Sequence, residues 1–83
     1  MANVVLYSTE QCPYCVRAKE LLKRKQVFFE EIRVDLEPNR RVEMEQRSRR
    51  RTVPQIFIGD HHVGGFDDLY ALERAGQLDV MLK

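Results

Sequence analysis

Cys12 and Cys15 bracket Pro13-Tyr14, shortly after the apolar run Val4-Val5-Leu6-Tyr7 and ahead of a segment patterned as a helix. A cysteine at a helix N-terminus faces unpaired backbone N–H groups and the positive end of the helix dipole, so its thiolate is stabilised. That makes Cys12 the expected nucleophile. Cys15 follows one turn later on the same side, within reach to close or reopen a disulfide with Cys12, and is the expected resolving thiol. Pro13 suits the first helical position, where its fixed φ fits and its missing N–H would have had no partner. The chain holds 2 cysteines. So close a pair would constrain little of the unfolded chain as a structural staple, and it cannot make a four-cysteine zinc site. The chemistry it points to is thiol–disulfide exchange.

The elements that must position this pair follow from patterning. Residues 3–8, apolar and rich in β-branched side chains, predict a first strand buried on both faces. From Pro13 to about Lys25, Cys15, Ala18, Leu21 and Leu22 fall on one face and Arg17, Lys19, Lys23 and Arg24 on the others, an amphipathic helix. Val27 through Val34 mixes aromatic and β-branched residues with charges and predicts a second strand parallel to the first, completing a βαβ unit. Pro38 opens a second predicted helix of about ten residues, with Val42 and Met44 as its apolar set. Val53 to Ile58 predicts a strand, Gly59-Asp60 a tight turn, and His61 to Val63 the hairpin partner, ended by Gly64-Gly65. Asp67-Asp68 sits where a helix N-terminus should be, leading through Leu69 and Leu72 into a last helical stretch ending near Leu82.

A chain of 83 residues makes one small domain, expected to span 1–83. Its 14 basic and 13 acidic side chains leave a net charge of +1, too little to favour nucleic acid or an anionic membrane. The run Arg47-Ser48-Arg49-Arg50-Arg51 is short, lies beside Glu43 and Glu45, and lacks interleaved aromatics, so it suits local anion recognition or a solvated helix end better than base stacking. His61 and His62 are adjacent on a predicted strand, point to opposite faces and have no third histidine, which suits exposed hairpin residues and no metal site. The start of the chain has neither a basic leader nor a long apolar stretch, and nothing approaches membrane-spanning length. The expectation is a cytoplasmic monomer.

Three segments taken together carry a resemblance: Cys12-Pro13-Tyr14-Cys15, then Thr52-Val53-Pro54, then Gly64-Gly65-Phe66-Asp67-Asp68. They resemble the signature segments of the dithiol glutaredoxins, of the small bacterial glutaredoxin 3 type, and the likeness runs from the first strand to the last helix. The resemblance implies a thioredoxin-like α/β fold: a four-stranded mixed sheet built from a βαβ unit, a helix, a β-hairpin and a C-terminal helix, with helices on both faces. It implies a glutathione-dependent thiol–disulfide oxidoreductase that reduces protein disulfides and glutathione mixed disulfides, with glutathione as cosubstrate and no tightly bound cofactor. Its partners would be glutathione and disulfide-bearing or glutathionylated proteins, ribonucleotide reductase among the candidates.

The resemblance also implies a glutathione site. Pro54 is expected to be cis and to face the dithiol, with the Val53 backbone free to pair with the cysteinyl part of glutathione. Thr52 belongs to the same segment, and Tyr14 would line the rim. Backbone N–H groups of Phe66 and Asp67, after Gly65, would receive the γ-glutamyl carboxylate, and the side chain of Asp67 or Asp68 the ammonium. Arg51 is the candidate for the glycyl carboxylate, which a guanidinium can grip bidentately, with Arg40 second. Many members carry a lysine four residues before the first cysteine. This chain has Ser8 there, followed by Thr9 and Glu10, so the anion grip must come from Arg51 or another basic residue.

Two other functions compete. One is a carrier of a [2Fe–2S] cluster held by Cys12 and external glutathione, against which Pro13 argues, because cluster binding in the family goes chiefly with Gly or Ser there. The other is an electron donor reloaded by thioredoxin reductase, against which stand the absence of Trp and of a Cys-Gly-Pro-Cys sequence. The reductant that reloads the oxidised protein separates the two electron supplies.

Overall fold

The computed structural model describes residues 3–83. Its elements run β1 (Val4–Ser8), α1 (Pro13–Arg24), β2 (Phe29–Arg33), α2 (Pro38–Ser48), β3 (Gln55–Ile58), β4 (His61–Gly64), α3 (Phe66–Arg74) and α4 (Leu78–Leu82). The four strands form one mixed sheet in the order β2-β1-β3-β4. β1 pairs in parallel with β2 from Val4 opposite Phe29 to Ser8 opposite Arg33, and antiparallel with β3 from Val4 opposite Ile58 to Tyr7 opposite Gln55. The βαβ unit and the hairpin are those the patterning predicts.

Alternation along β1 and β3 explains why both strands are wholly buried. Val4, Leu6, Ile56 and Ile58 pack with Ala18, Leu21 and Leu22 of α1, Leu69 of α3 and Leu78 of α4. On the other face Val5, Tyr7, Ile32 and Phe57 pack with Met44 of α2 and with Val34. A strand between two helical layers must be apolar at successive positions, which is why β1 reads as a run and not as an alternation.

Three features differ from expectation for identifiable reasons. β3 begins at Gln55 and not Val53, because Pro54 has no N–H to give a ladder. The C-terminal helical stretch is two helices, interrupted around Gly76, whose φ of +73° a helix cannot accommodate. Val42 is exposed: α2 buries Met44 and Ser48 instead and lays Glu43 and Arg47 across the sheet. Arg47 donates to Tyr7 Oη at 2.9 Å and stacks 4.0 Å from the centroid of Phe57, while Tyr7 Oη donates to Glu43. The poor hydrophobic pattern of α2 reflects a polar contact face.

Candidate active site

The first turn of α1 fixes the dithiol. Cys12 is the N-cap, with extended backbone (φ −141°, ψ 97°), and Pro13 takes the first helical position. The Cys15 N–H donates to Cys12 Sγ at 3.0 Å, so the sulfur occupies the place of a capping oxygen and receives an otherwise unpaired amide. Cys12 and Cys15 are joined as a disulfide with their Cα atoms 5.1 Å apart. The two cysteines are unequal: Cys15 is 0% exposed and Cys12 8%. Cys12 also faces the loop before β3, its Sγ 3.7 Å from Val53 O.

That loop forms one wall of a groove of about 220 Å³ beside the dithiol. Thr52, Val53 and Pro54 line it, the Val53–Pro54 peptide is cis, and Pro54 is buried. Tyr14 lines it from α1, with its ring stacked on Phe66 at 6.2 Å between centroids, and Phe66 stacks in turn on Tyr70 at 5.8 Å. The opposite wall is the β4–α3 junction: Gly65, Phe66, Asp67 and Asp68. Gly65 caps α3, and its N–H donates to Asp68 Oδ2 at 3.0 Å. That amide, with burial opposing it and the Arg50 guanidinium assisting, holds the Asp68 carboxyl below the usual carboxylate range. Gly64, at φ +115°, brings the junction so close that a Cβ there would strike the Asp68 carboxylate.

Of the residues expected from the sequence, the groove thus gathers Tyr14, Thr52, Val53, Pro54, Gly65, Phe66, Asp67 and Asp68 beside the dithiol, and leaves out Arg51. Arg51 is exposed, and its carbonyl accepts from Arg41 at 3.4 Å. The guanidinium in the groove is that of Arg50, 3.2 Å from Asp68 Oδ2. The chain turns over here because Arg49 ends α2 in the left-handed region (φ 61°) and Ser48 Oγ accepts from the Arg50 N–H at 3.0 Å. Neither event is visible in a run of arginines. Arg40 pairs with Glu43 at 3.3 Å, outside the groove. Ser8 is wholly buried and donates to Glu31 at 2.6 Å, so its hydroxyl is part of the β1–β2 packing.

Two further residues stand at or behind the groove without having been expected there. Gln55 lines it and is fully buried. His62 is not the exposed hairpin residue its neighbour His61 is: its ring lies 4.9 Å from that of Phe57 and its Nε2 2.7 Å from Gln55 Oε1. Burial lowers the His62 pKa, with the Arg50 charge adding to the effect. The available signal was alternation, since Gln55 shares the Tyr7 and Phe57 face of a strand otherwise apolar throughout.

A disulfide at a helix N-terminus, one of its cysteines wholly buried, with a groove beside it, is an arrangement suited to thiol–disulfide exchange. The sequence profile of the glutaredoxin family matches residues 4–63. Glutaredoxin 3 of Escherichia coli strain K12 is 57% identical over 83 residues, covering 100% of both chains. The solution structure of glutaredoxin from Brucella melitensis is 57% identical with a TM-score of 0.88, covering 100% of this chain and 90% of that one. The crystal structure of a buckwheat glutaredoxin–glutathione complex is 33% identical with a TM-score of 0.89, covering 98% of this chain and 76% of that one. The four-stranded sheet with its flanking helices is therefore a thioredoxin-like α/β fold. The chain belongs to the glutaredoxin family, and it is an enzyme of that class, a glutathione-dependent thiol–disulfide oxidoreductase working through an active-site disulfide.

Proposed function

We propose that Cys12 is the attacking thiol and Cys15 the resolving one, and that the groove between the Thr52–Pro54 loop and the α3 N-terminus holds glutathione. The observation that carries the assignment is the Cys15 amide directed at the Cys12 sulfur at 3.0 Å, with Cys15 itself wholly enclosed. In the reduced enzyme the Cys12 thiolate attacks the glutathione sulfur of a mixed disulfide. That S–S bond breaks, the target leaves as a thiolate that takes a proton, and Cys12 carries glutathione. A second glutathione thiolate then attacks the glutathione sulfur, releasing Cys12 as thiolate and glutathione disulfide as product. With a protein disulfide, Cys12 forms a mixed disulfide with the target, the Cys15 thiolate displaces the target, and two glutathiones reduce the resulting Cys12–Cys15 bond.

The charges and backbone donors that line the groove support glutathione as its occupant. Val53 offers backbone N–H and C=O to the cysteinyl unit as an edge strand does. The N–H groups of Phe66 and Asp67, at the first positions of α3, suit the γ-glutamyl carboxylate. Arg50 and Asp68 set a cation and an anion 3.2 Å apart at this end of the groove, complementary to the adjoining carboxylate and ammonium of the γ-glutamyl group. Arg50 is the guanidinium that lines the groove, whereas Arg51, expected to hold the glycyl carboxylate, does not line it. Disulfide-bearing and glutathionylated proteins are the macromolecular substrates, ribonucleotide reductase a candidate among them, met by a monomer in the cytoplasm.

The test is a pair of substitutions. Cys15→Ser keeps turnover of a small glutathione mixed disulfide and Cys12→Ser abolishes it. Equal loss in both overturns the assignment.

A further inference from the structure

The buried amide of Gln55 can be oriented by chemistry alone. Its Nε2 lies 3.1 Å from Thr52 O and 3.2 Å from Thr52 Oγ1, and a carbonyl only accepts, so the NH2 end must face Thr52. Oε1 is left facing His62 Nε2 at 2.7 Å, and since an amide oxygen also only accepts, this ring nitrogen carries a proton. The ring has little freedom to turn away, being bonded at one edge and seated on Phe57, which also carries the Arg47 guanidinium. His62 itself is not among the groove walls.

We infer that His62 is a positioning residue for the glutathione-binding loop: through Gln55 it fixes the carbonyl and hydroxyl of Thr52, and with them the adjoining Val53 backbone. The inference rests on the placement of glutathione proposed above. Thr52 to Pro54 lie outside any strand, so a loop without this brace would have to be ordered when glutathione binds, and affinity would fall by that ordering cost. Removing the His62 N–H leaves a buried amide oxygen unpaired and frees Gln55 to seek another orientation.

The experiment is steady-state turnover of a small glutathione mixed disulfide by the full chain. His62→Phe keeps a ring on Phe57 but removes the N–H. It is expected to raise KM about five- to tenfold, the effect of one lost buried hydrogen bond, and to leave kcat and the Cys12 alkylation rate within about twofold. His62→Gln can return an N–H to the place of Nε2 and is expected to restore KM. Gln55→Glu retains the acceptor toward His62 and loses the donor toward Thr52, so it should reproduce the KM rise even if His62→Phe folds poorly. Unchanged KM in both His62→Phe and Gln55→Glu overturns the inference. So does a rise that His62→Gln fails to reverse in a protein with the wild-type unfolding midpoint. Amide chemical shifts of Cys15→Ser glutathionylated at Cys12 separate this failure from that of the groove itself. Absent shifts at Thr52, Val53, Phe66 and Asp67 overturn the glutathione placement, whereas shifts there with unaltered variant KM overturn only the part given to His62.

Discussion

The residues at the site divide by what each can offer. The Cys12 sulfur receives an amide and Cys12 as a residue is slightly exposed, while Cys15 is fully enclosed. Among the arginines of the 47–51 run, position and not charge decides the work: Arg47 is spent on Tyr7 and Phe57, and Arg50 enters the groove. Arg50→Ala is therefore expected to raise KM for a glutathione mixed disulfide about three- to tenfold, since the contact is half-exposed and worth ~1 kcal/mol. Arg51→Ala should change it less than about twofold. A larger effect from Arg51 in the same assay would reverse the assignment. The dithiol was legible from its spacing, and most groove residues through the resemblance of the Thr52–Pro54 and Gly64–Asp68 segments to the family's signatures. Arg50 and His62 were not, because which arginine turns inward depends on the left-handed end of α2, and which histidine is covered depends on a strand register.

At the scale of elements, the β4–α3 junction carries the groove's charged wall. Gly64 pairs with Ile56 and turns the chain at φ +115°, so that the Gly65 amide, Asp68 and Arg50 converge. Gly64→Ala is expected to destabilise the fold by ~1–3 kcal/mol, because a side chain is strained at that φ and meets the Asp68 carboxylate. Glutathione affinity should fall with it. Gly65→Ala, with negative φ and only an ordinary contact to Pro54 O, should cost under about 1 kcal/mol. Chemical denaturation of the two variants checks the order. Element order and strand direction were readable because β1 is apolar throughout and α1 has a clean face. The break at Gly76 and the polar contact face of α2 were hidden, the first because periodicity survives a short interruption and the second because Arg47 meets Tyr7 and Phe57, and Glu43 meets Tyr7, far away in sequence.

At the scale of the whole molecule, the near-balanced charge conceals carboxylates that the fold holds ionised. The Arg33 guanidinium beside Asp35 pulls its carboxyl down to about 2. Burial pushes Glu31 up, but hydrogen bonds from Ser8 and Lys19 together outweigh it and leave the carboxyl below its ordinary value. Asp68 is lowered by the Gly65 amide. A carboxyl whose folded pKa is depressed adds stability that is complete above its unfolded value, near 4, and is lost as pH falls through the folded one. The unfolding midpoint is thus expected to drop between about pH 4 and the value of about 2 for Asp35. Asp35→Asn should flatten the lowest part of that curve, and a thermal melt series across this range reads it. Among the described residues no helix is long and apolar enough to cross a membrane, and the sheet is covered by helices on both faces.

The most direct measurement is the pH dependence of alkylation of the fully reduced protein, with the modified cysteine mapped by mass. The amide beneath Cys12 predicts that it reacts first, and at lower pH than a free thiol does, while Cys15 stays protected. A Cys12 midpoint near 8.5, or prior modification of Cys15, would contradict the account.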